Sequence, residues 1–219
     1  MSPTAPKPAQ IAPIPALQRG RATQVTPADM FRLARKTFLA GQKLDMNQLA
    51  LQLGIARATL YRWIGDRDRL LVDVIWSLTK QMLDRAAARA GGQGVERLVS
   101  IFGEQVEEIA TAASLRSFLE HEGQAGYRLV THPDGVHGRL VQADIALIRE
   151  EIEAGHYRPP SDLETLVEAM VSVGEHFLYS GLIGGFHPQA DKARRAIALV
   201  LRENPEVPGR KAPAKRRPG

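Results

Sequence analysis

The sequence contains no cysteine among its 219 residues. This absence excludes a disulfide framework, a cysteine nucleophile, an iron–sulfur cluster and every cysteine-based zinc finger. Aromatic residues are also few, at 5% of the chain, so most of them are needed as core filler. With 44% hydrophobic and 24% charged residues, the composition is typical of a globular chain that is long enough to bury a substantial core.

Long uninterrupted apolar runs are missing as well. The most apolar window, residues 169–186, carries Glu175 and His176 in its middle, so it predicts a buried helix rather than a membrane span. The first six residues, Met1 to Pro6, lack the charged and apolar regions of an export signal. We therefore expect a cytoplasmic protein.

The net charge of +5 is distributed unevenly along the chain. Residues 27–80 carry nine bases and five acids, whereas residues 81–203 carry twelve bases and eighteen acids. Residues 1–26 carry three bases and no acid, and residues 204–219 carry five bases and one acid. Residues 1–80 and 204–219 are therefore basic, and residues 81–203 are acidic. This distribution favours an anionic partner such as nucleic acid.

The pattern of residues divides the chain into two tails and two domains. Proline and small residues dominate residues 1–26 and 204–219, which are predicted to be disordered tails. Between them, apolar residues recur at helical spacing, so we expect an all-α fold of about nine helices, with a small domain at 27–71 and a larger one at 72–203. The predicted helices cover residues 27–41, 46–53, 57–64, 66–89, 95–111, 114–124, 138–154, 161–183 and 189–203.

Several local signals support these boundaries. Thr26 and Asp29 have the spacing of a capping box, and Ser161 with Glu164 repeats it before a later helix. Asp45 is placed to cap the second helix. The glycine-rich stretch 91–94 lacks the residues that surround a phosphate-binding loop, so it predicts a turn.

Residues 46–64 satisfy the steric demands of a helix-turn-helix motif. Ala50 supplies a small residue where the two helices cross, and Gly54 stands where the turn requires a backbone conformation open to glycine. The apolar seam between the helices is assigned to Leu49, Leu53, Ile55, Leu60 and one of Trp63 or Ile64.

The outer face of the third helix carries side chains that suit DNA. Arginine bonds guanine edges, threonine meets a thymine methyl or a phosphate, and tyrosine reaches phosphate oxygens. A solvated helix face with two bases is the alternative interpretation. The predicted DNA contacts are Asn47, Arg57, Thr59, Tyr61, Arg62 and, as a phosphate clamp at the start of the fourth helix, Arg67.

The run from Leu49 to Leu71 resembles the DNA-binding domain of TetR-family transcriptional regulators. The stretch Thr59-Leu60-Tyr61 matches the family pattern, and Ile55 stands for its usual valine. Arg67 stands for a lysine of the pattern. The chain departs from the pattern at Ala56, where the family has a capping serine, and this change costs the recognition helix about 0.5 to 2 kcal/mol. Two further departures are Trp63-Ile64 in place of His-Phe and Asp66 in place of serine.

The resemblance implies a two-domain, all-helical dimer. Its front helices would read double-stranded operator DNA, and its larger domain would bind a small-molecule effector that releases a repressor. Residues 174–184 are similar to the family branch that regulates quorum-signal degradation, for which the effector is lactone-like. Helices 138–154 and 161–183 are expected to form the homodimer, with close approach at Gly174, Gly181 and Gly184.

A pocket for the effector needs apolar walls with a few polar groups, although ordinary core packing is an alternative for each candidate. No cofactor, metal or catalytic site is predicted, because the pair His121-Glu122 lacks a second histidine and because His132 and His137 flank a turn. The acidic run at residues 150–153 is interpreted as a solvated face. A DNA-binding architectural protein without an effector is the rival function. The candidate pocket residues are Trp76, Phe102, Phe118, His121, Tyr127 and His176.

Overall fold

The computed structural model describes residues 25–183 and 187–202. These ranges form nine α-helices without a strand, which confirms the predicted all-α fold. The predicted tails lie outside the described residues except for Val25 and Thr26, and so does Gly184. The helices are α1 (Pro27–Leu39), α2 (Met46–Leu53), α3 (Arg57–Ile64), α4 (Arg67–Arg89), α5 (Gly94–Thr111), α6 (Ala113–Thr131), α7 (Val136–Glu153), α8 (Leu163–Ile183) and α9 (Ala190–Val200).

One of the two predicted capping boxes is present. The Thr26 hydroxyl accepts from the Asp29 N–H at 3.3 Å, and the Asp29 carboxylate accepts from the Thr26 N–H at 2.9 Å. The predicted box at Ser161 is wrong, because Asp162 caps α8 by accepting from the Thr165 N–H at 2.8 Å. Ser161 instead donates its hydroxyl to Asp162. The Asp162 carboxylate lies one residue closer to the helix than the Ser161 hydroxyl, and it satisfies the Thr165 N–H of the first turn.

The sixth helix is longer than the sequence predicts. The predicted end at residue 124 coincides with a non-helical break at Gly123, but a second helical segment that was not predicted continues α6 to Thr131. The backbone of Gly123 has φ 54° and ψ −130°, a conformation that glycine adopts without a side-chain clash. The segments before and after the kink pack against different parts of the molecule. The last helix also differs, since α9 ends at Val200 rather than at residue 203.

The glycine-rich turn connects α4 to α5 and approaches the end of α7 closely. A Cβ on Gly94 would lie 2.2 Å from the carbonyl oxygen of His156, so no larger residue fits there. The Gly94 N–H donates to the Glu151 carboxylate at 2.7 Å, and Arg97 donates to the same carboxylate at 3.1 Å. The interpretation of residues 150–153 as a solvated face is therefore wrong for Glu151, which is buried.

The long helix α4 connects the N-terminal helices α1–α3 to the helices of the larger C-terminal region. Helix α2 packs against α1 and α3, and both α1 and α3 pack on α4, which also contacts α5, α6 and α7. Behind them, α8 packs against α9 and α7, and α5 lies against α9. Fully buried side chains run through both regions, including Met30, Leu60, Phe102 and Met170. In the part of the chain that is described, no helix has the length and apolarity needed to cross a membrane.

Candidate nucleic-acid interface and ligand cavity

The helices α2 and α3 form the predicted helix-turn-helix. Asp45 caps α2 by accepting from the N–H groups of Asn47 and Gln48 at 2.8 and 2.9 Å. Gly54 ends α2 in the left-handed conformation, with φ 65° and ψ 29°. Leu49, Ala50 and Leu60 of the predicted seam are buried, whereas Leu53, Ile55, Trp63 and Ile64 are half-buried against the same core.

The outward face of α3 carries an exposed basic and aromatic pair. The Arg57 guanidinium lies 5.9 Å from the centre of the Tyr61 ring, and 38% of Tyr61 is exposed. Arg62 is exposed beside them, whereas Thr59 is half-buried. Asn47 is exposed on the first turn of α2. Among the described residues, no carboxylate forms an ion pair with Arg57 or Arg62. Both guanidinium groups are therefore available to an external anion.

The start of α3 is less well stabilised than the start of α2. The residue before α3, Ala56, makes no side-chain hydrogen bond to the helix. The sequence has Ala56 where the family pattern has a capping serine, and the structure accordingly has no side-chain cap at this end of α3. A cap of this kind is worth about 1 kcal/mol. Helix α3 is therefore stabilised by the burial of Leu60 and by packing against the neighbouring helices rather than by a cap.

Arg67 donates three hydrogen bonds to two partners within the chain. Its Nε donates to the Leu44 carbonyl at 2.7 Å, and its two terminal nitrogens donate to the Glu122 carboxylate at 3.1 and 2.5 Å. The hydrogen bonds from Arg67 lower the pKa of Glu122, although partial burial opposes the shift. This guanidinium thus connects α4 to α6 and to the segment before α2. A phosphate would compete with these partners for the same N–H groups.

Two other contacts join α6 to the front of the molecule at this point. The Phe118 and Phe38 rings pack with their centres 5.6 Å apart. The Ser117 hydroxyl donates to the Gly41 carbonyl at 3.1 Å. We call these two contacts and the Arg67–Glu122 pair the α6 joint. The predicted pocket residues Phe118 and His121 both lie here, and His121 bonds through Nδ1 to the Ser117 carbonyl oxygen.

Three further candidate pocket residues occupy separate places. Trp76 lines an open groove of about 720 Å³ between α4 and α7. His176 is exposed on α8, edge-on to Phe177. Tyr127 on α6 meets Tyr179 on α8 edge to face, with ring centres 6.5 Å apart. The structure therefore does not bring the six candidates together.

The remaining candidate, Phe102, lines a small internal cavity of about 30 Å³ between α5, α7, α8 and α9. Two buried polar atoms of residues that line this cavity have no hydrogen-bond partner among the described residues. They are Nε2 of Gln105 and Oδ1 of Asp144, whose residues are 5% and 1% exposed. Burial raises the pKa of Asp144 well above its ordinary value. The lining also includes Tyr179, through which the cavity reaches α6.

A buried histidine lies between two carboxylates beside the cavity. His137 Nδ1 lies 3.0 Å from both Glu175 oxygens, and its Nε2 lies 2.9 Å from Glu168. Burial lowers the pKa of His137, but the two carboxylates raise it more, so the net shift is upward. Burial raises the pKa of Glu175 to about 7, although His137 opposes this. Within the described ranges, no group of three or more potential metal ligands is present.

Sequence reasoning missed Gln105 and Asp144. Each of them interrupts an apolar helical stripe, since Gln105 lies between Phe102 and Val106 in the buried face of α5. Asp144 occupies the same kind of position in the buried face of α7, beside Ile145. A polar residue at an apolar position of the helical period is a readable signal. It identifies the polar lining of the cavity better than a search for aromatic residues does.

The family model described as tetracyclin repressor-like, C-terminal domain, matches residues 93–202, half of the chain. In three dimensions the chain is similar to QsdR, a transcriptional repressor of the TetR family from R. erythropolis. The two are 30% identical, with a TM-score of 0.74, over 80% of this chain and 93% of QsdR. The chain belongs to the TetR family of transcriptional regulators. Transcription regulation and DNA binding are accordingly its role.

The other comparisons add nothing to this assignment. A TetR-family transcriptional regulator from Streptomyces coelicolor is 18% identical with a TM-score of 0.47, over 78% of this chain and 76% of that one. No curated protein matches the chain by sequence. The likeness to QsdR agrees with the resemblance of the C-terminal half to the quorum-signal-degradation branch.

Proposed function

We propose that this TetR-family regulator is a cytoplasmic, homodimeric repressor that binds operator DNA through α3 and is released by a small molecule. The observation that carries the proposal is the outward face of α3, where Arg57 and Arg62 form no ion pair with a carboxylate of the described chain. Unpaired cations on a helix that follows a helix-turn-helix turn suit the major groove and its flanking phosphates.

In this account residues 27–71 form the DNA-binding domain, and residues 72–203 bind the ligand and dimerise. The DNA contacts are assigned to the predicted set. Arg57 and Arg62 read base edges or phosphates, Tyr61 reaches a phosphate, and Arg67 acts on DNA only when it leaves its partners in the α6 joint. Asn47 and Thr59 complete the set on α2 and α3.

The proposed dimer pairs α7 and α8 with their symmetry mates. A single helix-turn-helix covers too few base pairs for a specific site, so two copies about 34 to 36 Å apart are needed. The exposed side of α8 carries small and polar side chains, including Ala169 and Ser172, which suit close helix packing. Gly174 is buried against Ile197 of α9, so it is not part of that exposed side. The exposure of Gly181 and the placement of Gly184 lie outside what the structure describes.

The proposed release uses α6 as the connecting element. A ligand in the cavity contacts Tyr179, whose ring meets Tyr127 of α6. The same helix bonds Arg67 through Glu122 on the other side of the Gly123 kink. A ligand that binds one arrangement of α6 more tightly than the other shifts the spacing of the two recognition helices. A lactone-like molecule is the first effector class to test.

Binding of the dimer to operator DNA tests the proposal. Arg57→Ala and Tyr61→Ala are expected to weaken operator binding while the protein stays dimeric in sedimentation. Lys80→Ala, which removes one exposed positive charge from α4, is the matched control and should bind almost as the wild type does. Equal losses in Arg57→Ala and Lys80→Ala, with no loss in Tyr61→Ala, would show that only net charge matters. Loss of the dimer in Arg57→Ala would show that the DNA-reading face is elsewhere.

A second assay tests release. Lactones of increasing chain length are added to the protein–DNA complex, and the DNA anisotropy is followed. Release by at least one member supports the effector. A protein that binds its operator specifically but is never released by any small molecule, and gains no thermal stability from one, is the architectural protein that the sequence left as the alternative.

A further inference from the structure

The Arg67–Glu122 pair lies in a cluster of basic side chains at the edge of the helix-turn-helix. Arg67 begins α4, and its Nε donates to the Leu44 carbonyl at 2.7 Å, just before α2. Lys43 and His121 line the same small pocket as Arg67 and Glu122. Basic groups from the segment before α2, from α4 and from α6 therefore lie around one carboxylate.

The Glu122 carboxylate has the place that an external anion would take in this cluster. Its two oxygens accept from the two terminal nitrogens of Arg67, at 2.5 and 3.1 Å, in the bidentate geometry in which arginine also binds phosphate. The hydrogen bonds from Arg67 lower the pKa of Glu122, and the charges of Arg67, Lys43 and His121 lower it further, although burial opposes them. The basic groups therefore act together on one negative charge.

The pocket has no room for a second anion while Glu122 is in place. Its free volume is about 10 Å³, which is about the least that one water molecule needs. A phosphate group could bind Arg67 and Lys43 there only after the carboxylate moves away. The next residue, Gly123, is the non-helical residue of α6, and a Cβ on it would meet nothing within 4 Å. The carboxylate is thus attached to backbone that glycine leaves free to rotate.

The position of the cluster favours the DNA backbone as the competing anion. Hydrogen bonds from the N–H groups of Gln48 and Asn47 lower the pKa of Asp45, the cap of α2, and the charges of Arg57 and Lys43 lower it further. Lys43 and Arg57 therefore both act on the start of α2, so the basic cluster is continuous with the outward face of α3. A duplex against that face brings a row of phosphates to the cluster.

We propose that Arg67 and Lys43 form a subsite for one phosphate of the DNA backbone, and that Glu122 occupies this subsite in the DNA-free protein and competes with DNA for it. This inference rests on the proposed function, because it concerns the same DNA-binding domain. It adds Lys43 to the DNA contacts and makes Glu122 a residue that sets DNA affinity. A movement of α6 that withdraws the carboxylate tightens DNA binding.

Glu122→Gln removes the competing charge at similar shape. DNA affinity at low salt is expected to rise at least about threefold, because Arg67 no longer exchanges an ionised partner for the phosphate. The slope of log affinity against log salt should steepen by about one for each protomer. Fluorescence anisotropy over a salt series measures both quantities. Glu120→Gln, at an exposed position of α6, removes the same charge and is the matched control. An equal gain in Glu120→Gln would show a general charge effect and would overturn the inference.

A double-variant cycle assigns the gain to Arg67. Arg67→Gln and Lys43→Gln should each weaken DNA binding and make the salt slope shallower by about one for each protomer. Glu122→Gln should give no gain once Arg67 is replaced. A gain that persists in the Arg67→Gln background overturns the competition. Lys43 is exposed, so Lys43→Gln tests the subsite without disturbing the core, and unchanged affinity in this variant overturns the inference as well.

A purely structural role for the pair predicts the opposite sign. If Glu122 only holds Arg67 in place, Glu122→Gln lowers the thermal midpoint and weakens DNA binding together. Competition predicts a lower midpoint with tighter DNA binding. Inorganic phosphate tests a free anion as the occupant. If phosphate stabilises the wild type but not Lys43→Gln, while Glu122→Gln leaves DNA affinity unchanged, the subsite serves a free anion and the inference is overturned.

A duplex of scrambled sequence is measured beside the operator, so the two proposals fail separately. Phosphate contacts carry no sequence information, so the gain in Glu122→Gln should appear on both duplexes. Equal binding of both duplexes by the wild type rejects the sequence-specific regulator, and the gain in Glu122→Gln still supports the competition. Specific operator binding without any gain in Glu122→Gln rejects the competition and leaves the regulator intact.

Discussion

The guanidinium of Arg67 donates two hydrogen bonds to the carboxylate of Glu122 and thereby ties the first residue of α4 to α6. The same side chain donates to the carbonyl of Leu44, just before α2. One cation thus joins three segments at the boundary between the helix-turn-helix and the larger body. In the proposed release mechanism, this contact would couple a movement of α6 to α2 and α3.

Replacement of Glu122 by glutamine tests how much the pair contributes. Hydrogen bonds to a charged group are worth about 2 kcal/mol, so Glu122→Gln should lower the free energy of unfolding by about that amount at neutral pH. Urea unfolding of the wild type and the variant measures the difference. Glu120→Gln, on an exposed neighbouring position of α6, is the control and should change little.

The pH dependence of that difference follows from the lowered pKa of Glu122. An acid whose pKa is lower in the folded state contributes stability above its unfolded pKa, here near 4.5, and loses it as the pH falls through the folded value. The gap between wild type and Glu122→Gln should therefore be constant at neutral pH and close in acid. A gap that persists unchanged well below pH 4 would contradict an ionised carboxylate as its source.

A missing cap at the start of α3 offers a gain in stability. Ala56→Ser restores the side-chain oxygen that the helix lacks, so it should raise the free energy of unfolding by about 1 kcal/mol. Ala58→Ser, inside the same helix, gives no cap and should not stabilise. If both serines have the same effect, capping is not what limits α3.

The turn between α2 and α3 depends on the backbone freedom of Gly54. A Cβ at this position would meet no neighbour within 4 Å, so the left-handed φ of 65° is the only obstacle to substitution. Gly54→Ala should cost about 1 to 2 kcal/mol of stability, and Gly54→Asn clearly less, because asparagine tolerates this conformation. Thermal unfolding of both variants measures the order. An alanine variant as stable as the asparagine variant would contradict this explanation.

The cluster of His137 with Glu175 predicts a loss of stability toward alkaline pH. Burial raises the pKa of Glu175 to about 7, so its contribution is present below about 4.5 and is lost as the pH rises through 7. The raised pKa of His137 acts in the same direction, since its contribution is present below 6.5 and is lost above the folded value. Stability should fall between about pH 5 and 8 in the wild type, and this slope should flatten in the double variant His137→Gln, Glu175→Gln. An equal slope in both would place its source elsewhere.

Much of this architecture follows from local sequence signals. Capping at Thr26 and Asp45 and the left-handed end of α2 at Gly54 depend on residues a few positions apart, and the structure confirms them. The continuation of α6 beyond Gly123 did not follow, because only packing on both sides of the kink decides whether a helix resumes after a glycine.

The internal cavity was less accessible to sequence reasoning than the helix-turn-helix. Helix α3 is one continuous stretch of sequence, so its exposed face can be predicted from the helical period. The cavity gathers Phe102, Asp144 and Glu175 from three helices, and their proximity is a tertiary property. The search for apolar walls with a few polar groups selected Phe118 and His121, which lie at the α6 joint instead.

Specific binding of the full chain to the DNA upstream of its own gene tests the central claim most directly. Fluorescence anisotropy compares that duplex with a scrambled one over a series of salt concentrations. We expect saturable binding of two protomers per site that survives competitor DNA, with the scrambled duplex bound far more weakly. Equal binding of both duplexes, lost steeply and in parallel as salt rises, would contradict a sequence-specific operator at this location and leave only electrostatic attachment to phosphates.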